Sequence, residues 1–166
     1  MFRLPRKIRH PPRPPWIPSN AAGYLMRIGG CHDCHTPGSL LGMPDHTRAY
    51  NGGDVGFFMP GIGYVYPPNL TPDPETGLGN WTEDQIVTAL RTGVRPDGRT
   101  LVPIMPWPGL SALTNEDAYA MAAYMKSLPP VANQVPAITP ADQPAPGPYM
   151  TVQFPEGMAP PGPPAP

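Results

Sequence analysis

Residues 31–35 read Cys31-His32-Asp33-Cys34-His35, and no other stretch of the chain constrains its fold so tightly. The chain has 2 cysteines and both lie here, so no thiol remains for a structural disulfide. The C-x-x-C-H spacing has a chemical reason. Two thiols three apart reach the two vinyl groups on one edge of a haem macrocycle, and the adjacent histidine lies under the iron and supplies an imidazole nitrogen. A redox C-x-x-C pair would expect a surrounding βαβ pattern, which is absent. A zinc site would need two further ligands, and no second C-x-x-C or H-x-x-x-H exists. The motif therefore predicts one covalent haem c on Cys31 and Cys34, with His35 as an axial iron ligand.

Upstream, Ser19 and Asn20 are good N-caps for a short helix over Ala21 to Ile28, which runs into Gly29-Gly30 and presents the motif. Tyr24 and Ile28 share one face of it, as do Leu25 and Gly29. Downstream, residues 36–80 are rich in Gly, Pro, Asn and Asp and read as loop. A stretch that long without regular structure needs an organiser, and a wrapped haem would serve. Thr82-Glu83-Asp84-Gln85 is a capping box ahead of Ile86, Val87 and Leu90, with Gly93 as terminator. Arg95-Pro96-Asp97-Gly98-Arg99 is a turn. Leu101 to Leu110 passes through Pro103, Pro106 and Pro108 and cannot be helix interior, with Val102 to Trp107 expected as a rigid extended stretch. Thr114 caps a last helix with Glu116 and Asp117 in its first turn, a stripe of Ala118, Met121, Ala122 and Met125, and a stop at Pro129-Pro130. No segment alternates as a strand should. The expected fold is mostly α, with three main helices and long loops around one haem.

Proline supplies 30 of the 166 residues, several times the usual ~5%, and it is concentrated at the two ends. The expected division is a basic, Pro-rich arm over 1–18, a haem domain over 19–131, and a Pro-rich arm over 132–166. A net charge of −1 gives no footing for nucleic acid. No apolar run reaches the ~18 residues of a membrane span. Prolines stand where an apolar leader core would follow the first basic run, so no secretory signal is visible. The chemistry of haem attachment nevertheless places the chain in the periplasm.

The sixth iron position has several candidates. Met105 lies in Val102-Pro103-Ile104-Met105-Pro106-Trp107 between two helices. Met59, in Phe58-Met59-Pro60, has a similar context and is its main rival. His10, His32 and His46 are the available imidazoles, with His46 read as a loop or propionate-side residue. Met121 and Met125 fall on a helix face and read as packing.

The ordered matches beyond the motif give a resemblance. They run through Gly23-Tyr24-Leu25, Cys31 to Gly38, Asn69-Leu70-Thr71-Pro72-Asp73-Pro74-Glu75-Thr76-Gly77-Leu78-Gly79, Trp81-Thr82-Glu83-Asp84-Gln85, Leu90-Arg91-Thr92-Gly93, Arg95 to Arg99, Met105-Pro106-Trp107, Leu113 to Asp117 and Ala123 to Val131. Over roughly residues 20–131 the chain resembles class I c-type cytochromes. It is most similar to the haem domains of cytochrome c subunits from bacterial membrane-bound dehydrogenases. The resemblance implies that Met105 is the distal ligand and that the first and last helices cross near Gly23, Tyr24 and Tyr124. It further implies that the Asn69 to Trp81 loop lines the haem edge, with Asn69, Trp81 and Arg99 as cofactor-binding residues and the last two toward the propionates. Such subunits usually carry several haem domains where this chain has one, and the Pro-rich ends lie outside the likeness.

A His/Met iron has neither face open to substrate, so the implied work is outer-sphere electron transfer and not catalysis. Thioether ligation favours the ferrous state and raises the potential. The expected setting is a redox assembly associated with a membrane and contacted through the Pro-rich arms. Two other functions stay open: a catalytic or gas-sensing haem with a weak sixth ligand, and an assembly subunit whose arms bind partners.

Overall fold

A computed structural model describes residues 21–153. The expected arm at 1–18, the caps Ser19 and Asn20, His10, and the last thirteen positions of the expected C-terminal arm lie outside the described residues. The described residues form two compact units: residues 21–31 with 81–127, and residues 32–80 with 128–153.

The first unit is helical. It holds α1 (Ala21–Ile28), α3 (Glu83–Thr92), α4 (Trp107–Leu110) and α5 (Asn115–Ser127), while the motif helix α2 (Cys31–His35) begins at its last residue in the first chain segment. Both α1 and α3 pack on α5, and α3 packs on α4. Ala118, Met121, Ala122 and Met125 are buried at i, i+3, i+4 and i+7 on α5, the stripe its sequence promises. Met26 of α1 and Ile86, Val87, Ala89 and Leu90 of α3 complete the core. The capping box is formed: Thr82 N donates to Gln85 Oε1 at 2.9 Å and Gln85 N to Thr82 Oγ1 at 3.2 Å. Gly93 ends α3 in the left-handed region at φ 71. Arg91 joins α3 to the start of α5, donating to Asn115 Oδ1 at 2.8 Å and to the Leu113 carbonyl. The expected crossing of the first and last helices is present, with Gly23 buried in α1. Tyr24 is on the outer side of α1 with Ile28, both exposed.

Five helices stand where three main ones were expected, because α2 and α4 are single turns. The stretch Val102 to Trp107, expected to be extended, instead turns at 103–105 and leads into the single turn Trp107–Leu110. There Pro108 occupies the second helical position, where its missing N–H has no partner to lose.

The second unit carries the larger correction. Its loop contains strands that sequence alternation did not reveal: β1 (Gly56–Met59) and β2 (Gly63–Val65), with β3 (Tyr149–Met150) arriving from the Pro-rich end. The order is β2-β1-β3. β1 pairs antiparallel with β2, Phe58 opposite Tyr64, and parallel with β3, Phe57 opposite Met150. Tyr64 also exchanges two backbone bonds with Thr139, at 2.8 and 3.0 Å. A Cβ on Gly63 would lie 2.1 Å from the Thr139 carbonyl oxygen, so only glycine allows this approach. The Tyr66 hydroxyl donates to the Gly147 carbonyl at 2.7 Å. Residues 132–153, expected as part of an arm, are thus stitched into this unit. The expected boundary at 131/132 falls inside it.

Candidate haem site

The chain enters the motif through a left-handed glycine. Gly29 N and Gly30 N close α1 on the Leu25 and Arg27 carbonyls, and Gly30 turns at φ 73. The motif is then one turn of helix, which brings Cys31 and Cys34 to one side at i and i+3. Cys31 is buried, Cys34 half-buried, and no disulfide joins them. Burial, and after it the Asp33 charge, pushes the Cys34 thiol pKa up.

His35 is buried and oriented. Its Nδ1 donates to the Pro68 carbonyl at 2.7 Å, which makes Nε2 the nitrogen available to a metal. Burial lowers its pKa, partly offset by the Pro68 bond, which favours the neutral ring that metal ligation requires. The 51–53 segment lies tight against the motif helix. Gly52 N donates to the His35 carbonyl at 3.0 Å, and a Cβ on Gly53 would sit 2.4 Å from the Cys34 carbonyl oxygen.

Beside the motif, His32 is buried, with its ring 5.3 Å from that of exposed His46 and 5.6 Å from that of Tyr50. Tyr50 holds a left-handed φ of 66, costly for a bulky residue. Its N–H bonds Thr36 Oγ1 and its carbonyl accepts from Leu70 N, so Thr36 and Tyr50 join the loop to the motif. Neither residue was singled out from the sequence, since nothing in Arg48-Ala49-Tyr50-Asn51 announces a positive φ at a tyrosine.

Asn69, expected as a cofactor-binding residue, is buried and fixes its own loop. Its Nδ2 donates to Thr76 Oγ1 at 3.0 Å and to the Val131 carbonyl at 2.7 Å. Its Oδ1 accepts from Thr71 N and Thr71 Oγ1 at 2.9 and 2.8 Å. Both ends of the amide are hydrogen-bonded, tying the loop that carries Pro68 to itself and to Val131.

In the helical unit, Met105 is half-buried in a tight turn, not on the extended segment expected. Met105 N closes that turn on the Val102 carbonyl at 3.0 Å, and Trp107 N bonds the Met105 carbonyl at 2.8 Å. Its rival Met59 closes β1 opposite Gly63, and Met121 and Met125 are core, as their helix face predicted. Trp81 lies under Arg95, whose guanidinium carbon is 5.1 Å from the ring centroid. Arg99 is exposed at the end of the 95–99 turn, which the bond from Arg95 N to the Arg99 carbonyl closes at 3.0 Å.

Two thiols on one helical turn, then an imidazole fixed through Nδ1, fit a covalently attached haem. Elsewhere among the described residues, the buried donors Arg91 Nε and Trp107 Nε1 have no acceptor.

Comparison with known proteins gives the same chemistry. The chain is 42% identical over 119 residues to the cytochrome c subunit of a quinone alcohol dehydrogenase from Gluconobacter oxydans, covering 70% of this chain and 23% of that one. It is 39% identical over 110 residues to the gluconate 2-dehydrogenase cytochrome c subunit of Pantoea cypripedii, at 66% and 23% coverage. To the fructose dehydrogenase cytochrome subunit of Gluconobacter japonicus it is 31% identical over 138 residues, at 82% and 25%. The chain spans about a quarter of the length of these curated relatives. No family model matches.

Proposed function

We propose that this chain, which resembles the cytochrome c subunits of bacterial dehydrogenases, is a one-haem electron carrier within a larger redox assembly. The observation that carries the reading is His35. It follows the paired cysteines directly and is locked through Nδ1 on the Pro68 carbonyl, ready to ligate through Nε2. Bound haem supplies a one-electron couple; the protein supplies attachment, ligand orientation and a low-dielectric surrounding. Cys31 and Cys34 anchor the macrocycle. The Nδ1 bond makes the His35 ring a stronger donor to iron. Met105 would supply the second iron ligand and leave no open face, so the chain would relay electrons rather than transform a substrate.

Haem attachment of this type places the protein in the periplasm, and its partners are the redox proteins on either side of it. No helix among the described residues is long and apolar enough to cross a membrane. Contact with a membrane-associated complex through the Pro-rich ends is part of the same reading.

Absorption spectra of the purified protein test the reading, recorded oxidised, reduced, and reduced under carbon monoxide, beside a haem-stained denaturing gel. Covalent haem, a weak far-red sulfur-to-iron band and no response to carbon monoxide are expected. Ready carbon monoxide binding would overturn Met105 as ligand and favour a catalytic or sensing haem.

A further inference from the structure

His35 is gripped at two points. Gly52 N donates to its carbonyl at 3.0 Å, and its own Nδ1 donates to the Pro68 carbonyl at 2.7 Å. The two supports are joined, since Gly53 N donates to the Pro67 carbonyl at 2.9 Å. Residues 51–53 and 67–68 thus act as two jaws on one side chain. Glycine brings the backbone close but adds no stiffness of its own, so the first jaw depends on what backs it.

The backing comes from beyond the last helix. Val131 N donates to Thr71 Oγ1 at 3.2 Å and starts a short strap along the outside of the jaws. Asn133 Nδ2 donates to the Asn51 carbonyl at 2.7 Å, holding the first jaw. Asn133 N donates to Thr76 Oγ1 at 3.0 Å, and that oxygen also accepts from Asn69, the neighbour of Pro68. One residue therefore ties both jaws, one through its side chain and the other through its backbone. Val135 presses on the same place. A Cβ on Gly52 would lie 2.5 Å from Val135 Cγ2 and 3.3 Å from the Pro67 carbonyl oxygen, at a φ of 110. The strap and the jaws all belong to the second unit.

We propose that residues 131–135 are a strap that sets the orientation of His35, with Asn133 and Val135 as positioning residues acting through Gly52 and Pro68. This rests on the electron-carrier reading and adds the segment after the last helix to its ligand machinery. An imidazole held through Nδ1 on a carbonyl is a more basic ligand, which favours ferric iron. Loosening the strap lets the Nδ1 bond weaken and moves the couple toward the ferrous form.

The test compares the haem-loaded parent with Asn133→Ala and Val135→Ala, reading the His35 Nδ1–H by NMR in the reduced, diamagnetic protein and the potential by potentiometry. With haem content unchanged, that proton should exchange about tenfold faster or more in Asn133→Ala. The reduction equilibrium should move about two- to fivefold toward the reduced form, tenfold being about 59 mV for one electron. Val135→Ala should move both readouts the same way. Gly63→Ala strains the sheet of the same unit and is the control, expected to match the parent in both. Parental exchange and potential in Asn133→Ala would overturn the proposal, whatever happens to stability, and so would equal shifts in the control. Should the strap variants fail to accumulate, the parent decides. Gly52, Gly53 and Asn133 amides that exchange as one cooperative group under mild denaturant support the strap, and a Gly52 amide that opens independently of Asn133 overturns it. A parent without covalent haem on a stained gel would instead overturn the electron-carrier reading, and the amide exchange would still decide the strap.

Discussion

Asn69→Ala separates a scaffold from a cofactor contact. The native amide is 2% exposed and makes four hydrogen bonds, two donated and two accepted. Their loss is not four equal losses. Thr76 Oγ1 keeps Asp73 Oδ1 at 2.7 Å and Asn133 N at 3.0 Å. Thr71 Oγ1 keeps the backbone of Val131 at 3.2 and 3.3 Å. The Thr71 N–H alone loses its partner outright. One orphaned buried donor costs ~1–3 kcal/mol and each exchanged bond ~1 kcal/mol or less, so the sum is about 3 kcal/mol. That corresponds to a fall in Tm of about 6–12 °C for a chain of this size. Guanidinium unfolding of the holoprotein, followed by tryptophan fluorescence, should show a lower midpoint at unchanged slope. A loss below ~1 kcal/mol with a shifted haem potential would refute the reasoning and return Asn69 to the cofactor.

Met105→Ala should open the iron to carbon monoxide, abolish the far-red sulfur band and lower the potential by on the order of 100 mV, a modest part of the ~0.8 V that axial ligands span. Potentiometry with carbon monoxide titration reads all three. Gly63→Ala places a methyl 2.1 Å from the Thr139 oxygen at a φ of 111. It should cost about 2 kcal/mol or more and raise amide exchange at Tyr64 and Thr139, measurable by hydrogen–deuterium exchange. The Asp45 carboxyl is held at about 2, chiefly by the Thr47 hydroxyl and then by Arg48. Its folded pKa is depressed, so what it contributes is present above its ordinary 3.8 and lost as pH falls toward about 2. A carboxyl ¹³C titration should give that midpoint, and Thr47→Ala should raise it.

What was legible in the sequence was local. The Thr82–Gln85 box, the Gly93 terminator and the Ala118–Met121–Ala122–Met125 stripe each settle a helix within one or two turns of chain, and the C-x-x-C-H spacing is as local a signal for the proposed attachment. What was hidden is long-range. β1 and β2 are too short for alternation to register, and the partners that make them strands, Thr139 and Tyr149, lie more than seventy positions downstream. Proline concealed the rest. A residue without an N–H reads as a breaker or an arm, because the argument follows the donor it lacks. It keeps its carbonyl, and in a chain that cannot coil there is no helix for that carbonyl to serve. In the second unit these acceptors are taken by donors from elsewhere: Pro37 by Asp45 N at 2.9 Å, Pro67 by Gly53 N at 2.9 Å, Pro148 by Gly56 N at 2.9 Å and Pro68 by His35 Nδ1 at 2.7 Å. The last of these connects composition to function. A carbonyl without a helical partner fixes the tautomer of His35, the proposed iron ligand, so on that reading Pro68 belongs to the site.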